Sequence, residues 1–161
     1  MTRNVDVLVF DACTIRNAST VDLVISHIGA CLRTCCKIGL DSYDLYEAFG
    51  KQYTRDSLSR SVLRIIGTIL TTRYDPHKKL FVPNERDMAR ALEIVKRETD
   101  LHDVDERYLA IALLARNHGY RVALLTMDSD FIDEKVIDFA NKYGIEIVYG
   151  EKAIESLRIA G

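Results

Sequence analysis

The sequence has no tryptophan, only two prolines and four cysteines, and its 22 basic residues nearly balance its 24 acidic ones. The net charge of −2 excludes a polycation that coats nucleic acid by charge alone, so a nucleic-acid partner would need a local basic patch or metal-mediated contacts. No apolar run approaches the ~20 residues of a membrane-spanning helix. The apolar stretch at residues 7–10 is too short for a signal peptide, so we expect a cytoplasmic protein with no membrane partner.

The four cysteines predict neither a disulfide framework nor a zinc site. Cys31, Cys35 and Cys36 lie close together in the chain, but no second cluster complements them. His27, Cys31 and Cys35 share one stripe of a predicted helix, yet a zinc site would need a fourth ligand. We expect these cysteines to be reduced and to serve as small core residues in a reducing compartment.

The composition that remains is that of a globular protein. Hydrophobic residues make up 48% and charged residues 29% of the 161 positions. This length suits one domain with its own hydrophobic core, and the sequence has no repeat, low-complexity tract or linker. We therefore expect a single domain over residues 1–161.

The hydrophobic pattern predicts strands that alternate with helices. Short runs rich in β-branched residues predict extended segments at 5–10, 80–82, 121–126 and 145–149. Helical periodicity and capping residues predict helices at 19–38, 41–53, 56–72, 84–98, 104–118, 131–141 and 151–159. The short loops of the last third are typical of an α/β domain with a parallel sheet.

Two of the predicted strands lead into acidic residues. Asp11 directly follows the first strand, and Asp128 and Asp130 follow the strand at 121–126. If these strands are adjacent in a parallel sheet, their carboxyl ends meet at one edge. Carboxylates that converge without basic partners persist mainly when a cation neutralises them, and hard oxygen ligands suit Mg²⁺ or Mn²⁺. The pattern therefore predicts a divalent-metal site.

Each of these acids also has a structural interpretation. Asp11 could cap a turn or helix, and Asp130 is well placed to cap the helix that follows it. Asp103 and Glu106 fit a capping box, which leaves Asp105 on a different face of that helix. Small and apolar residues follow Asp105 at helical spacing, so this helix should pack closely on the sheet and hold Asp105 at its edge.

Three of these segments occur in an order that resembles a known family. They are a strand ending in Asp at 8–14 (Leu-Val-Phe-Asp-Ala-Cys-Thr), an Ala- and Leu-rich helix led by Asp at 105–115, and a strand with a Thr-x-Asp-x-Asp-Phe turn at 122–131. The set resembles the PIN domain, a fold of metal-dependent ribonucleases, whereas residues 40–100 match it only in helical character. The resemblance implies a three-layer α/β/α fold with a parallel sheet of about four to five strands.

The resemblance implies an endoribonuclease that hydrolyses RNA phosphodiester bonds with Mg²⁺ or Mn²⁺. In such a site the metal lowers the pKa of a bound water and stabilises the leaving oxygen, so no Ser or His nucleophile is needed. The family's catalytic acids fall on Asp11, Glu47, Asp105 and Asp128, and the metal ligands on Asp11, Asp105, Asp128 and Asp130. One alternative stays open, because Asp44 lies one turn before Glu47 and could replace it.

An acidic site that binds RNA needs cations around it. Arg16 is the best placed, and we expect it to bind substrate together with Thr14 and Thr126. The Thr14 hydroxyl could also orient a carboxylate, since Cys13 stands where the family often has a polar residue. A basic face, or alternatively a merely solvated one, is predicted from Arg55, Arg60, Arg64, Arg73, Lys78 and Lys79.

Other functions stay open at this point. A PIN-like scaffold without activity could bind RNA or a protein partner. A phosphotransferase with an Asp nucleophile would need a second Asp at position 13, where this chain has Cys13. Members of the family act as toxins of toxin–antitoxin pairs or in RNA maturation and decay, so the resemblance also implies an antitoxin-like or processing-complex partner and a homodimer.

Overall fold

The predicted α/β fold with a parallel sheet is confirmed. The computed structural model of the chain describes residues 2–44, 57–70 and 76–159. The strands in these ranges are β1 (Thr2–Arg3), β2 (Val7–Phe10), β3 (Lys37–Gly39), β4 (Leu80–Phe81), β5 (Val122–Thr126), β6 (Ile145–Tyr149) and β7 (Arg158–Ile159). Five of them form one parallel sheet in the order β4-β3-β2-β5-β6, whereas β1 and β7 pair separately.

Helices cover both faces of this sheet. Over the described ranges they are α1 (Ala12–Arg16), α2 (Ala18–Leu32), α3 (Ser57–Leu70), α4 (Pro76–Lys79), α5 (Glu85–Glu98), α6 (Asp103–Asn117), α7 (Glu134–Tyr143) and α8 (Glu151–Ser156). A 3-10 turn at Ser129–Ile132 precedes α7. None of the described helices is long and apolar enough to cross a membrane.

The pleat of β2 divides the hydrophobic core into two layers. Leu8 and Phe10 pack with buried residues of α1, α2, α3 and α8 on one face of the sheet. Val7 and Val9 pack with α5, α6 and α7 on the other face. Because side chains alternate across a strand, one short buried strand joins both layers, and the result is the three-layer α/β/α arrangement.

The structure differs from the sequence prediction in three helices. The helix predicted at 19–38 ends at Leu32, and residues 37–39 form β3 instead. The helix predicted at 151–159 ends at Ser156, because 158–159 pair with β1. The helix predicted at 131–141 begins only at Glu134. In the first two cases, strand pairing with distant residues overrides the local helical pattern.

The expectation of reduced cysteines is wrong for Cys31 and Cys36, which form a disulfide between buried residues. The chain turns back between α2 and β3, which brings their Cα atoms to 4.9 Å. Cys13 and Cys35 are free and exposed. His27 is buried, and its Nε2 lies 2.5 Å from the carbonyl oxygen of Ile154. Because the sulfur of Cys31 is in a disulfide, it cannot bind zinc together with His27 and Cys35.

The space around two glycines predicts that changing each of them to alanine will have different effects on the free energy of unfolding. A Cβ on Gly39 of β3 would lie 2.9 Å from Val9 Cγ2 and 3.3 Å from Ile111 Cγ2, whereas a Cβ on Gly67 of α3 meets nothing within 4 Å. Because valine is stiff at χ1, Gly39→Ala should cost about 1–3 kcal/mol. Gly67→Ala should instead stabilise by up to about 1 kcal/mol. Urea unfolding followed by circular dichroism measures both, and equal midpoints would contradict the close packing at Gly39.

Candidate metal centre

Three elements bring acidic side chains to one edge of the sheet. β2 and β5 are adjacent and parallel, with Phe10 beside Leu125. Asp11 therefore leaves β2 next to the point where β5 leads to Asp128. Asp105 comes from the first turn of α6, which packs against both strands. The acids predicted from the two strand ends do meet, and α6 adds a third, as expected from its small and apolar residues.

Asp11 is fully buried, and both of its oxygens are fixed by hydrogen bonds. The backbone N–H of Thr14 donates to Oδ1 at 3.0 Å, and the Thr14 hydroxyl donates to the same oxygen. The Thr126 hydroxyl donates to Oδ2 at 2.6 Å. Asp11 thereby caps α1, as one interpretation of the sequence predicted, yet its carboxylate also faces Asp128. Burial is the main cause that raises the pKa of Asp11, and the charge of Asp128 adds to it.

Thr14 and Thr126 hold Asp11 in place. Both are fully buried, and both hydroxyls donate to Asp11. The Thr126 hydroxyl oxygen also accepts a hydrogen bond from the backbone N–H of Asp128 at 2.9 Å, so one side chain ties two of the acids together. The orienting role expected for Thr14 fits this geometry. The substrate contact expected for both threonines does not, because a buried hydroxyl committed to Asp11 cannot reach a substrate.

Two groups of ligand atoms converge at this edge. Oxygen atoms of Asp11 and Asp128 and the sulfur of Cys13 lie within 4.8 Å of one another, and so do oxygens of Asp105, Asp128 and Asp130. Asp128 belongs to both groups. Exposure increases outward from buried Asp11, through half-buried Asp105 and Asp128, to exposed Asp130. These residues could hold a metal ion at an acidic edge of the sheet, where exposure increases toward Asp130.

The chemistry of the carboxylate donors fits a hard divalent cation. Carboxylate oxygens suit Mg²⁺ and Mn²⁺. No lysine or arginine of the described ranges forms an ion pair with Asp11, Asp105, Asp128 or Asp130. Burial and the charges of the other three acids raise the pKa of Asp105 to about 6. The four carboxylates therefore repel one another, and a bound cation would relieve the repulsion.

The turn after β5 presents Asp128 and Asp130 in different ways. The Asp128 carboxylate accepts the backbone N–H of Asp130 at 2.9 Å and caps the 3-10 turn. Asp133, not Asp130, caps α7. The capping role predicted for Asp130 is therefore wrong, and its exposed carboxylate stays available to a ligand. Phe131, which is fully buried, anchors the turn to the core.

The second acid predicted from the sequence is described only for one of its two candidates. Glu47 lies outside the described residues. Asp44 is buried, and its Oδ2 accepts a hydrogen bond of 2.8 Å from the hydroxyl of Tyr108. Burial raises the pKa of Asp44 to about 6, partly opposed by that hydrogen bond. Asp44 belongs to neither converging group.

The predicted cations differ in their surroundings. Arg16 is exposed at the end of α1, and its positive charge opposes the rise in the pKa of the Cys13 thiol caused chiefly by burial and nearby carboxylates. Arg60 and Arg64 are exposed on α3, where Arg64 pairs with Asp22 at 3.0 Å. Lys78 is exposed, whereas Lys79 is buried and donates to the carbonyl of Thr34 at 2.5 Å. Arg55 and Arg73 lie outside the described residues.

Cys13 is a member of the site that was not predicted from the sequence, where it was noted only as a difference from the PIN domain pattern. Its sulfur lies within 4.8 Å of oxygens of both Asp11 and Asp128. The signal was its position, because a residue two places after the Asp that caps a helix shares the first turn of that helix.

No protein-family model matches the sequence, and a search of curated proteins finds no match. The arrangement of the acidic side chains is therefore the main argument for function.

Proposed function

We propose that this protein is a Mg²⁺- or Mn²⁺-dependent endoribonuclease, with a metal held by Asp11, Asp105, Asp128 and Asp130. The observation that carries the proposal is the convergence of these four carboxylates where β2 and β5 end, with no ion-pair partner in the described part of the chain. The carboxyl ends of the strands are where open parallel α/β sheets typically bind their ligands. The order of the acidic motifs, which resembles that of PIN domains, supports RNA as the substrate.

Each acidic side chain would have a different role in such a metal site. Asp11 supplies a carboxylate whose position is fixed by Thr14 and Thr126, so little reorganisation is needed when a ligand binds. Asp105 and Asp128 complete the ligand set, directly or through water. Asp130 faces solvent, where a substrate phosphate would approach. A bound divalent ion would supply an activated water and would stabilise the leaving oxygen.

Cations near the acidic edge of the sheet would bind the RNA backbone. Arg16 ends α1, and α3, which packs against α1, carries the exposed Arg60 and Arg64. Binding through such a patch should weaken as salt concentration rises. Three further proposals rest on the resemblance alone: a role of Glu47 as a ligand or water-orienting acid, an antitoxin-like or processing-complex partner, and a homodimer. A cytoplasmic location is proposed from the lack of long apolar runs in the sequence.

Cleavage of RNA by the purified protein tests the proposal. We expect cleavage with Mn²⁺ or Mg²⁺ and none with EDTA. Asp11→Asn should reduce the rate by at least ~100-fold, because the ligand set contributes several kcal/mol to the transition state. The matched control is Asp138→Asn, an exposed acid of α7 outside both converging groups, which should leave the rate unchanged.

Two results would contradict the nuclease proposal. Cleavage that persists in EDTA, or that Asp11→Asn leaves intact, would exclude the metal mechanism. Calorimetric Mn²⁺ binding without cleavage of single-stranded or structured RNA would favour the PIN-like scaffold instead.

A further inference from the structure

We propose that Asp41 and Arg107 form a positioning pair that holds Asp105 in the metal centre against the repulsion of the other acids. Asp44 and Tyr108 reinforce it, and we call these four residues the α6 clamp. The inference rests on the proposed metal site, and it concerns how that site is kept assembled, not which residues bind the metal.

The start of α6 has little of the usual capping support. Its N-cap residue, His102, forms no capping hydrogen bond with its side chain. Asp103, the first helical residue, has a φ of 48°, a left-handed conformation that costs free energy in a residue other than glycine. The capping box predicted at Asp103 and Glu106 is therefore wrong. Side-chain capping at this helix end therefore does not account for the position of Asp105.

Asp105 also experiences a force away from the site. Its carboxylate oxygen lies within 4.8 Å of oxygens of Asp128 and Asp130. Like charges at that separation repel, especially where burial reduces solvent screening. Glu106 is 3.8 Å from Lys96, but the exposed ammonium of that lysine can contribute little. A stronger contact has to hold this turn of the helix.

Arg107 provides that contact two residues after Asp105. Its Nε and Nη2 donate to the two carboxylate oxygens of Asp41 at 2.7 and 2.8 Å. Nη2 also donates to Glu85 at 2.7 Å. The Asp41 side chain is 1% exposed and that of Arg107 18%. A buried two-bond contact of a guanidinium with a carboxylate fixes direction as well as distance.

Tyr108 provides the second contact, three residues after Asp105. Its hydroxyl donates to Asp44 at 2.8 Å, and both side chains are buried. Asp41 and Asp44 follow the carboxyl end of β3, where Leu40 bonds through its backbone to Phe81 of β4. The α6 clamp therefore fastens the turn after Asp105 to the sheet. Neither Asp41 nor Asp44 belongs to a converging group of ligand atoms among the described residues, so the clamp acts through Asp105.

A double-mutant cycle on Mn²⁺ affinity tests the clamp. Replacing the pair by neutral residues, Asp41→Asn with Arg107→Met, should weaken Mn²⁺ binding by about 10–100-fold in the wild-type background. In the Asp105→Asn background the same replacement should change the affinity by less than about twofold, because the carboxylate it positions is gone. Arg107→Lys, which keeps the positive charge beside Asp41, should weaken Mn²⁺ binding less than the Asp41→Asn and Arg107→Met replacement does. Isothermal calorimetry measures each variant without RNA.

A second ion pair offers a matched control. Arg121 contacts both oxygens of Asp6 at 2.9 and 3.0 Å, where β2 and β5 begin, at the opposite edge of the sheet. Asp6→Asn with Arg121→Met should leave the Mn²⁺ affinity unchanged. Should the Asp41 and Arg107 replacement fail to fold, Tyr108→Phe, which removes one hydroxyl, enters the same cycle with the same expected non-additivity.

Equal losses of affinity in the two backgrounds would overturn the clamp, because a merely structural contact does not depend on Asp105. Absence of Mn²⁺ binding by the wild-type protein would overturn it as well. Non-additive Mn²⁺ affinities support it even if no RNA is cleaved, and that combination would contradict only the nuclease proposal.

Discussion

Asp128→Asn is expected to weaken Mn²⁺ binding and slow RNA cleavage more than any other single acid replacement, by at least ~100-fold. Asp128 is the one acid that belongs to both converging groups of ligand atoms in the described residues, so its loss removes a charge from each. Asparagine can still accept the backbone N–H of Asp130, which preserves the 3-10 turn. The change therefore removes charge with little change of shape.

Replacements of two neighbouring acidic residues serve as comparisons for Asp128→Asn. Asp130→Asn should have a smaller effect, because Asp130 is exposed and belongs to one group. Asp133→Asn should have none, since Asp133 caps α7 outside both groups and asparagine caps equally well. Calorimetry with Mn²⁺ and initial cleavage rates measure all three. Equal effects of Asp128→Asn and Asp133→Asn would contradict the site.

Asp105→Asn is expected to stabilise the metal-free protein and to destabilise it relative to wild type when Mn²⁺ is present. Burial, followed by the charges of Asp128, Asp11 and Asp130, raises the pKa of Asp105 to about 6 from an ordinary value of 3.8. The folded protein thus binds this proton more tightly than the unfolded chain does. The contribution of Asp105 to wild-type stability therefore falls as the pH rises from about 4 to about 6 and stays lower above that range.

The asparagine variant lacks this ionisation, so its advantage over wild type should be small at pH 4.5 and full at pH 7.5 in EDTA. Saturating Mn²⁺ reverses the order, because ligand binding to the folded state stabilises wild type more. Burial is the main cause that lowers the pKa of His27, so its contribution to stability rises with pH. This contribution is the same in wild type and variant and cancels when the two proteins are compared.

Thermal unfolding at the two pH values, with EDTA or with Mn²⁺, measures the crossover. The midpoint should move by roughly 2–4 °C for each kcal/mol of difference. A difference between variant and wild type that is the same at both pH values would show that Asp105 is not held among the other acids.

Local sequence pattern is enough to predict the part of the site that follows the two buried strands β2 and β5. β2 and β5 are runs of four and five buried residues, with β-branched residues in each, and their ends place Asp11 and Asp128. The helix behind Asp105 is predicted from its small and apolar residues in the same way. All three predictions need only periodicity and the rule that parallel strands end at one edge.

The rest of the site depends on contacts between distant residues. β3 is three residues long and is defined by its pairing with β2 and β4. Its residues continue the helical periodicity of α2, so the sequence predicted helix instead of strand there. Without β3, the position of Asp41 beside α6 could not be inferred. The hydrogen bonds of Thr126 to Asp11 and of Tyr108 to Asp44 likewise join segments that share no local pattern.

The hydrogen bond from Thr126 to Asp11 spans 115 residues of chain, and this separation sets the order of events during translation. At about 5–20 residues per second, roughly 6–23 s pass between synthesis of the two residues. Asp11 and Thr14 are made early, but the ribosome must add β5 before the central carboxylate gains its second hydroxyl partner. A nascent chain therefore acquires the assembled acidic site only after β5 has been made.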